Sequence, residues 1–579
     1  MIHSEAFRPS GRRRFTVRLI LALAAAACLL LVSVSAVGCK RSAAPPPAES
    51  KATAPLGGVE LVFPFGSEKE KWIADVTDGF NRSGRRTAGG KPIFVTALPM
   101  GSGESIDEVL TGRLKAHILS PASAAFIKLA NAQSRTSTGK DLVASTDNLV
   151  LSPVVIAMWK PMAEALGWPG KPVGWADILA LARSQTGWAA YNFPQWGRFK
   201  FGHTHPEYSN SGLISLLAET YAAVRKTRDL SLADVQKPAT GEFVGAIEQS
   251  VVHYGSSTGF FGRRMFANGP EYLSAAVLYE SMVVESYAEK SLAFPVVAIY
   301  PKEGTFWSDH PIGIVERDWV TPEHREAAAL YIHYLLEKPQ QERALTYGFR
   351  PASVDVKAGA PLDPEHGIDP SEPKTTLEVP AVEVIDRILK LWQTKKKTSE
   401  VVLVLDTSGS MNEQGKLENA KRGAKQFISI MSDADTLSFL PFNTGYAWAI
   451  QNTPMGPDGK RKANAQIESL FAGGETNLYD SIEEAYRLLK TSRREGKKIQ
   501  AVVVLTDGED TNSKIRFDKL LELVRFNGET NTIRVFTIAY GRDARKDLLR
   551  QLAEATQAKS YEGNPDTIVS VFRDVSTFF

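Results

Sequence analysis

Two continuous apolar runs that each end on an aspartate constrain this chain most. The first is Val401-Val402-Leu403-Val404-Leu405-Asp406, continued by Thr407-Ser408-Gly409-Ser410, and the second is Val502-Val503-Val504-Leu505-Thr506-Asp507. A strand buried on both faces of a parallel sheet requires such runs. In open α/β sheets, ligands gather beyond the carboxyl ends of the strands, which is where Asp406 and Asp507 fall. Between the two runs, Gly473-Gly474-Glu475-Thr476-Asn477 opens a further helix and offers the Thr476 hydroxyl. Carboxylate and hydroxyl oxygens are hard ligands, suited to Mg²⁺, Mn²⁺ or Ca²⁺ rather than zinc. Two carboxylates and three hydroxyls (Ser408, Ser410, Thr476) leave room on a six-coordinate ion for water or for a carboxylate brought by another molecule. No general base or nucleophile lies in these segments, and carboxylates sharing a cation are poor proton carriers. The expectation is a docking point and no enzyme.

The pattern Asp406-x-Ser408-x-Ser410, then Thr476, then Asp507 in Thr-Asp-Gly-Glu resembles the metal-ion-dependent adhesion site of von Willebrand factor A domains. The resemblance covers residues 398–579. It implies a doubly wound, Rossmann-like sheet and a metal shell made of Asp406, Ser408, Ser410, Thr476 and Asp507, with Mg²⁺ as the first choice of ion. A helix N-cap turn would account for Asp406–Ser410 but leaves Thr476 and Asp507 unexplained. The periodicity around these residues agrees. Helical spacing runs through 416–431, 478–489 and 517–526, and strand character through 436–442 and 533–540.

The beginning of the chain has a different character. Arg12, Arg13, Arg14 and Arg18 precede an apolar stretch from Leu19 to Val32, and small residues then lead to Cys39. A basic region, an apolar core and small residues make a secretory signal over 1–38. Small residues directly before a cysteine resemble a lipobox, which implies cleavage before Cys39 and its acylation. Ala36 stands where leucine is commoner, and an uncleaved signal anchor is the alternative for a stretch of this length. Residues 39–57 are rich in Ala, Pro and Ser and read as an unpacked tether. The two cysteines, Cys28 and Cys39, both fall in this part, so no disulfide is expected in the folded domains. Five Arg and one Glu lie in residues 1–38, so removing them turns the formal charge of +3 into −1. That balance gives no support to a nucleic-acid partner.

Residues 58–355 repeat a strand, small polar loop and helix: Val59–Phe63 before Gly66-Ser67, Ile93–Leu98 before Gly101-Ser102, and Tyr208-Ser209-Asn210-Ser211-Gly212 before Leu213–Ala223. The device aims backbone N–H groups and a helix dipole at the loop. With Leu119-Ser120-Pro121, Gly202-His203-Thr204-His205-Pro206 and Tyr347-Gly348-Phe349-Arg350-Pro351, this segment resembles a bacterial extracellular solute-binding protein of the two-lobed, periplasmic-binding-protein type. The resemblance implies a ligand cleft between lobes, with Ser67, Ser102, Ser209, Asn210 and Ser211 as candidate contacts, although ordinary caps and turns explain the same residues. His203, His205 and Glu207 suit hydrogen bonding in a loop more than metal ligation. Arg263-Arg264 reads as a solvated helix end, Lys395-Lys396-Lys397 as a solvated linker, and Trp188 and Trp196 as packing residues. Residues 356–397 are a connector whose last part, 379–392, has helical spacing.

The sequence thus describes an α/β chain, a two-lobed solute-binding domain followed by a von Willebrand factor A domain. Its expected place is the bacterial cell envelope, lipid-anchored to a membrane. The first module would capture a small solute or peptide, and the second would dock a partner protein that donates a carboxylate to the ion. The alternative is the solute-binding component of an ABC-type transport system, with the second domain as scaffold.

Overall fold

The strand Ser399–Asp406 is buried along its whole length, and its side chains alternate between two cores. Val401, Leu403 and Leu405 enter one cluster and Val402 and Val404 the other, as the two-residue repeat of a strand dictates. In the computed structural model, which describes residues 56–492, 498–526 and 533–579, this strand lies inside a six-stranded sheet. Its neighbours are Thr436–Phe442 and Ile499–Thr506, both parallel to it. Arg534–Tyr540 and Ser560–Gly563 continue the parallel sheet on one side, and Ile450–Pro454 closes the other as an antiparallel edge. Helix Lys416–Ile430 and the C-terminal helix Ile568–Ser576 cover one face, while Leu478–Thr491, Phe517–Val524 and Lys546–Ala555 cover the other. This is the doubly wound arrangement expected.

Residues before the connector build two lobes. The first contains the parallel pair Val59–Gly66 and Ile93–Met100, with Trp72, Ile73, Val76 and Phe80 of helix Glu70–Arg82 packed against Tyr331 and Leu335. The second is organised around the long strand Val150–Trp159. That strand pairs antiparallel with Ala275–Tyr279 and Val296–Ile299, and the sheet continues through Phe201–Thr204 to Val251–Gly255.

The connector helix runs Val382–Lys395 and starts three residues later than its periodicity suggested. Pro380 keeps Val379 out of the helix, because the residue before a proline is pushed out of the helical region, and Ala381, in extended backbone, is the N-cap. Its apolar stripe, Val384, Ile385, Ile388 and Trp392, is buried against the second lobe. The lysines that follow correct the solvated-linker expectation. Lys396 is buried and donates to the Asp435 carboxylate and to the carbonyl of Phe579. Burial lowers the Lys397 ammonium to about 8.

Arg263 and Arg264 also differ from expectation, for they sit mid-helix in Thr258–Asn268 rather than at a solvated end. Arg263 pairs with Glu70 and Glu285, and Arg264 donates to the carbonyls of Gln557 and Ala558. Arg264 thus joins the second lobe to the C-terminal sheet domain. Arg573 makes a second junction, 2.6 Å from Glu108 and 3.3 Å from Asp107. The described residues therefore form one compact unit. Trp188 and Trp196 are buried packing residues, as expected. The expected signal over 1–38, Cys39 and the expected tether as far as residue 55 lie outside the described residues. No described helix is long and apolar enough to cross a membrane.

Candidate metal centre

The carboxyl ends of the two apolar strands bring Asp406 and Asp507 to one spot, and both side chains are buried. Directly after Asp406 the chain turns back on itself, so the Ser408 N–H donates to Asp406 Oδ1 at 2.8 Å. Thr506 Oγ1 donates to the other oxygen, Asp406 Oδ2. Ser410 Oγ lies 3.1 Å from Ser408 Oγ and donates to Asp507 Oδ1 at 2.7 Å. The Thr476 hydroxyl oxygen lies against Gly508, next to Asp507. Asp406, Ser408, Ser410 and Asp507 are thus linked to one another, and Thr476 approaches them beside Gly508.

Three loops hold them there. The Gly409 N–H donates to the Gly474 carbonyl and the Gly473 N–H to the Thr407 carbonyl. Gly474 has φ +85°, and a Cβ there would come within 2.5 Å of Thr444 Oγ1. That position admits glycine for both reasons. The Thr476 N–H donates to Thr511, and Asp510 accepts from the N–H groups of Leu478 and Tyr479. Asp510 therefore caps the helix from a distant loop, where a first-turn N–H has no partner of its own. Sequence reading missed Asp510, because capping residues are sought just before a helix and this one lies 32 residues after it begins.

Electrostatics separates the two aspartates. Burial pushes the Asp406 carboxyl up to about 6, against hydrogen bonds from Thr506 and Ser408 that favour its charged form. Asp507 faces an ammonium instead: Lys416 Nζ lies 2.6 Å from Asp507 Oδ2, with both side chains nearly inaccessible. In the sequence Lys416 stands only at the start of a stretch with helical spacing. Only the approach of that helix start to the end of strand Ile499–Thr506 reveals its partner. The donor set fits a hard divalent ion, being oxygen throughout, and each carboxylate oxygen keeps a second lone pair beside the hydrogen bond it accepts. The cation would share Asp507 with the Lys416 ammonium.

The candidate solute contacts are brought together as well, at the junction of the two lobes. Ser67 Oγ donates to Ser257 Oγ and accepts from the Gly259 N–H. Ser102 Oγ accepts from the Ala122 N–H. Ser209 and Ser211 both bond to Thr258, and Asn210 bonds to Ser123, Tyr279 and Ser308. Each of the five is buried and engaged with protein groups, so a ligand would have to part these contacts. His203 belongs to a strand rather than a loop. His205 is buried, and burial holds its imidazole far below the usual range. Glu207 accepts from Gln393.

Comparison with known proteins places both halves. Residues 400–572 match the model of the von Willebrand factor type A domain, and residues 70–350 match that of the bacterial extracellular solute-binding protein. Among curated proteins, E3 ubiquitin-protein ligase WAV3 of Arabidopsis thaliana is 33% identical over 117 residues, covering 20% of this chain and 16% of its own. Inter-alpha-trypsin inhibitor heavy chain H4 of Homo sapiens is 25% identical over 158 residues, 26% of this chain and 17% of its own. This chain therefore spans about a sixth of the length of these curated relatives. Among solved structures, the periplasmic thiamin binding protein matches with a TM-score of 0.42 and 12% identity, over 59% of this chain and 98% of its own. The von Willebrand factor type A protein from Catenulispora acidiphila matches with a TM-score of 0.27 and 20% identity, over 31% and 42%.

Proposed function

We propose that this chain, an extracellular solute-binding domain joined to a von Willebrand factor A domain, is an exported and lipid-anchored binding protein of the bacterial envelope. Its C-terminal domain docks a partner protein through a divalent cation, Mg²⁺ by preference. The observation that carries this reading is the convergence of Asp406, Ser408, Ser410, Thr476 and Asp507 at the carboxyl ends of neighbouring strands. Side chains of that kind hold a hard cation and leave a position for a carboxylate from outside. Both domain types are binding modules as a rule, which agrees with a non-catalytic role. The solute-binding module captures a small solute or peptide between its lobes once the contacts of Ser67, Ser102 and Ser209–Ser211 open.

The match of residues 70–350 also supports a second reading, delivery of solute to an ABC-type transporter with the C-terminal domain as scaffold. The two readings part in a capture experiment on envelope extract, with the full chain as bait in Mg²⁺, in EDTA, and with Asp406→Ala in Mg²⁺. A protein retained by the wild type in Mg²⁺ and lost in both other conditions is the expected result. Equal recovery in all three would sink cation-dependent docking and leave the scaffold reading.

A further inference from the structure

A second cluster lies inside the second lobe, remote from the adhesion residues in sequence. His203 on strand Phe201–Thr204, Glu219 on helix Asn210–Val224 and Glu248 at the end of helix Pro238–Glu248 are each fully buried. One ligand atom from each lies within 4.8 Å of the other two. Hydrogen-bond chemistry fixes what these atoms present. His203 Nδ1 is 2.8 Å from the carbonyl oxygen of Thr204. A carbonyl can only accept, so Nδ1 carries a proton; Nε2, 2.9 Å from Glu248 Oε1, turns a lone pair toward that oxygen in the neutral ring and a proton in the imidazolium. Glu248 Oε2 accepts from the Tyr254 hydroxyl at 2.7 Å and the Trp392 indole N–H at 3.0 Å, as a carboxylate does. Glu219 Oε1 accepts from Ser215 at 2.8 Å, whereas Glu219 Oε2 has no hydrogen-bond partner among the described residues.

With a neutral imidazole, lone pairs of all three residues face one another in a fully buried site. Protons could supply the missing positive charge, as an imidazolium on His203 and a neutral carboxyl on Glu219. A proton on Glu219 Oε2, however, would find no acceptor, and an unmade bond costs free energy in a buried site. A dication answers every lone pair at once. The Nδ1–H to carbonyl bond is also the arrangement that orients a metal-ligating histidine through its other nitrogen.

We propose that His203, Glu219 and Glu248 form a buried site for a borderline divalent cation of the Zn²⁺ class. Imidazole in the donor set selects against Mg²⁺ and Ca²⁺, which separates this site chemically from the all-oxygen cluster at Asp406 and Asp507. Three protein ligands at about 2.0–2.2 Å require donor atoms about 3.4 Å apart for a tetrahedral ion. Small side-chain shifts from the observed 2.9 Å and 4.8 Å limits achieve that spacing. The consequence is mechanical. Trp392 of the connector helix and Tyr254 both lean on Glu248, and the Tyr254 N–H reaches the Phe578 carbonyl of the C-terminal domain. The ion would fasten the connector to the second lobe where the two domains meet. This inference stands apart from the docking reading, because it uses none of its residues.

The test is metal analysis of the full chain produced in zinc-supplemented medium and purified without chelator. Asp406→Ala serves as a background that removes the adhesion cluster. Equimolar zinc is expected in both proteins, with loss of that zinc in His203→Gln and Glu219→Gln and a chelator-induced drop in melting temperature confined to the proteins that hold it. Should a variant fail to fold, zinc-edge X-ray absorption of the unaltered chain decides alone, through a mixed imidazole and carboxylate shell. A chain that emerges zinc-free, a Glu219→Gln protein that keeps its zinc, or an oxygen-only shell overturns the proposal and leaves a proton-sharing cluster.

Discussion

Lys416 is the residue that most changes how the metal centre is understood. A buried ammonium 2.6 Å from Asp507 neutralises one of the two aspartates before any cation arrives. Removing one partner of a buried pair leaves an uncompensated charge and costs about 3–5 kcal/mol. Lys416→Met is therefore expected to lose stability of that order in EDTA. It should recover a larger share than the wild type when Mg²⁺ is added, because the ion then supplies the only positive charge beside Asp507. Urea unfolding with and without Mg²⁺ measures both effects, and a loss in EDTA below about 1 kcal/mol would mean the pair is of little consequence.

Among the elements, the pairing of helix Lys416–Ile430 with the C-terminal helix Ile568–Ser576 is the tightest to argue. A Cβ on Gly423 would come within 2.4 Å of the Phe572 ring, which is itself fully buried and packs near Phe427. Gly423→Ala gains about 1 kcal/mol of helix propensity but overpacks a rigid contact, at a cost of about 1–3 kcal/mol. The net sign should be destabilising. In a Phe572→Ala background the obstructing Cδ2 is gone, so Gly423→Ala should become neutral or stabilising. A double-mutant cycle by denaturant unfolding reads this coupling directly, and additive effects would show that the helices do not meet as described.

At the scale of the whole molecule, Arg573 and Glu104 tie the C-terminal helix to the first lobe. Burial and the neighbouring Asp574 push the Glu104 carboxyl up to about 7 from an ordinary 4.5, while Arg573 opposes the shift. The folded state thus holds this proton more tightly than the unfolded chain does. Its contribution to stability is fully present below pH 4.5 and is lost as pH rises toward 7. Glu104→Gln should accordingly gain on the wild type across that interval. Unfolding midpoints measured from pH 4.5 to 7.5 check it, and a constant difference between the two proteins would rule the linkage out.

The sequence by itself determined the sheet domain, because unbroken Val/Leu runs admit one kind of strand and the aspartates closing them mark the carboxyl edge. It also determined the neighbourhood of Asp406, Ser408, Ser410, Thr476 and Asp507, since a short turn and a helix start leave such residues few places to go. Helix boundaries followed to within about two residues, except for the connector helix beyond Pro380 and the helix expected from Leu213, which begins at Asn210 and so takes Asn210 and Ser211 out of the expected loop. What only the tertiary structure decided are the pairings between segments far apart in the chain: Lys416 with Asp507, Asp510 with the helix at Leu478, Arg264 with the carbonyls of Gln557 and Ala558, and His203 with Glu219 and Glu248. A charged residue reads as solvated in sequence because most are. Whether it is instead buried against a partner depends on which surfaces the fold presses together, and local spacing carries no record of that.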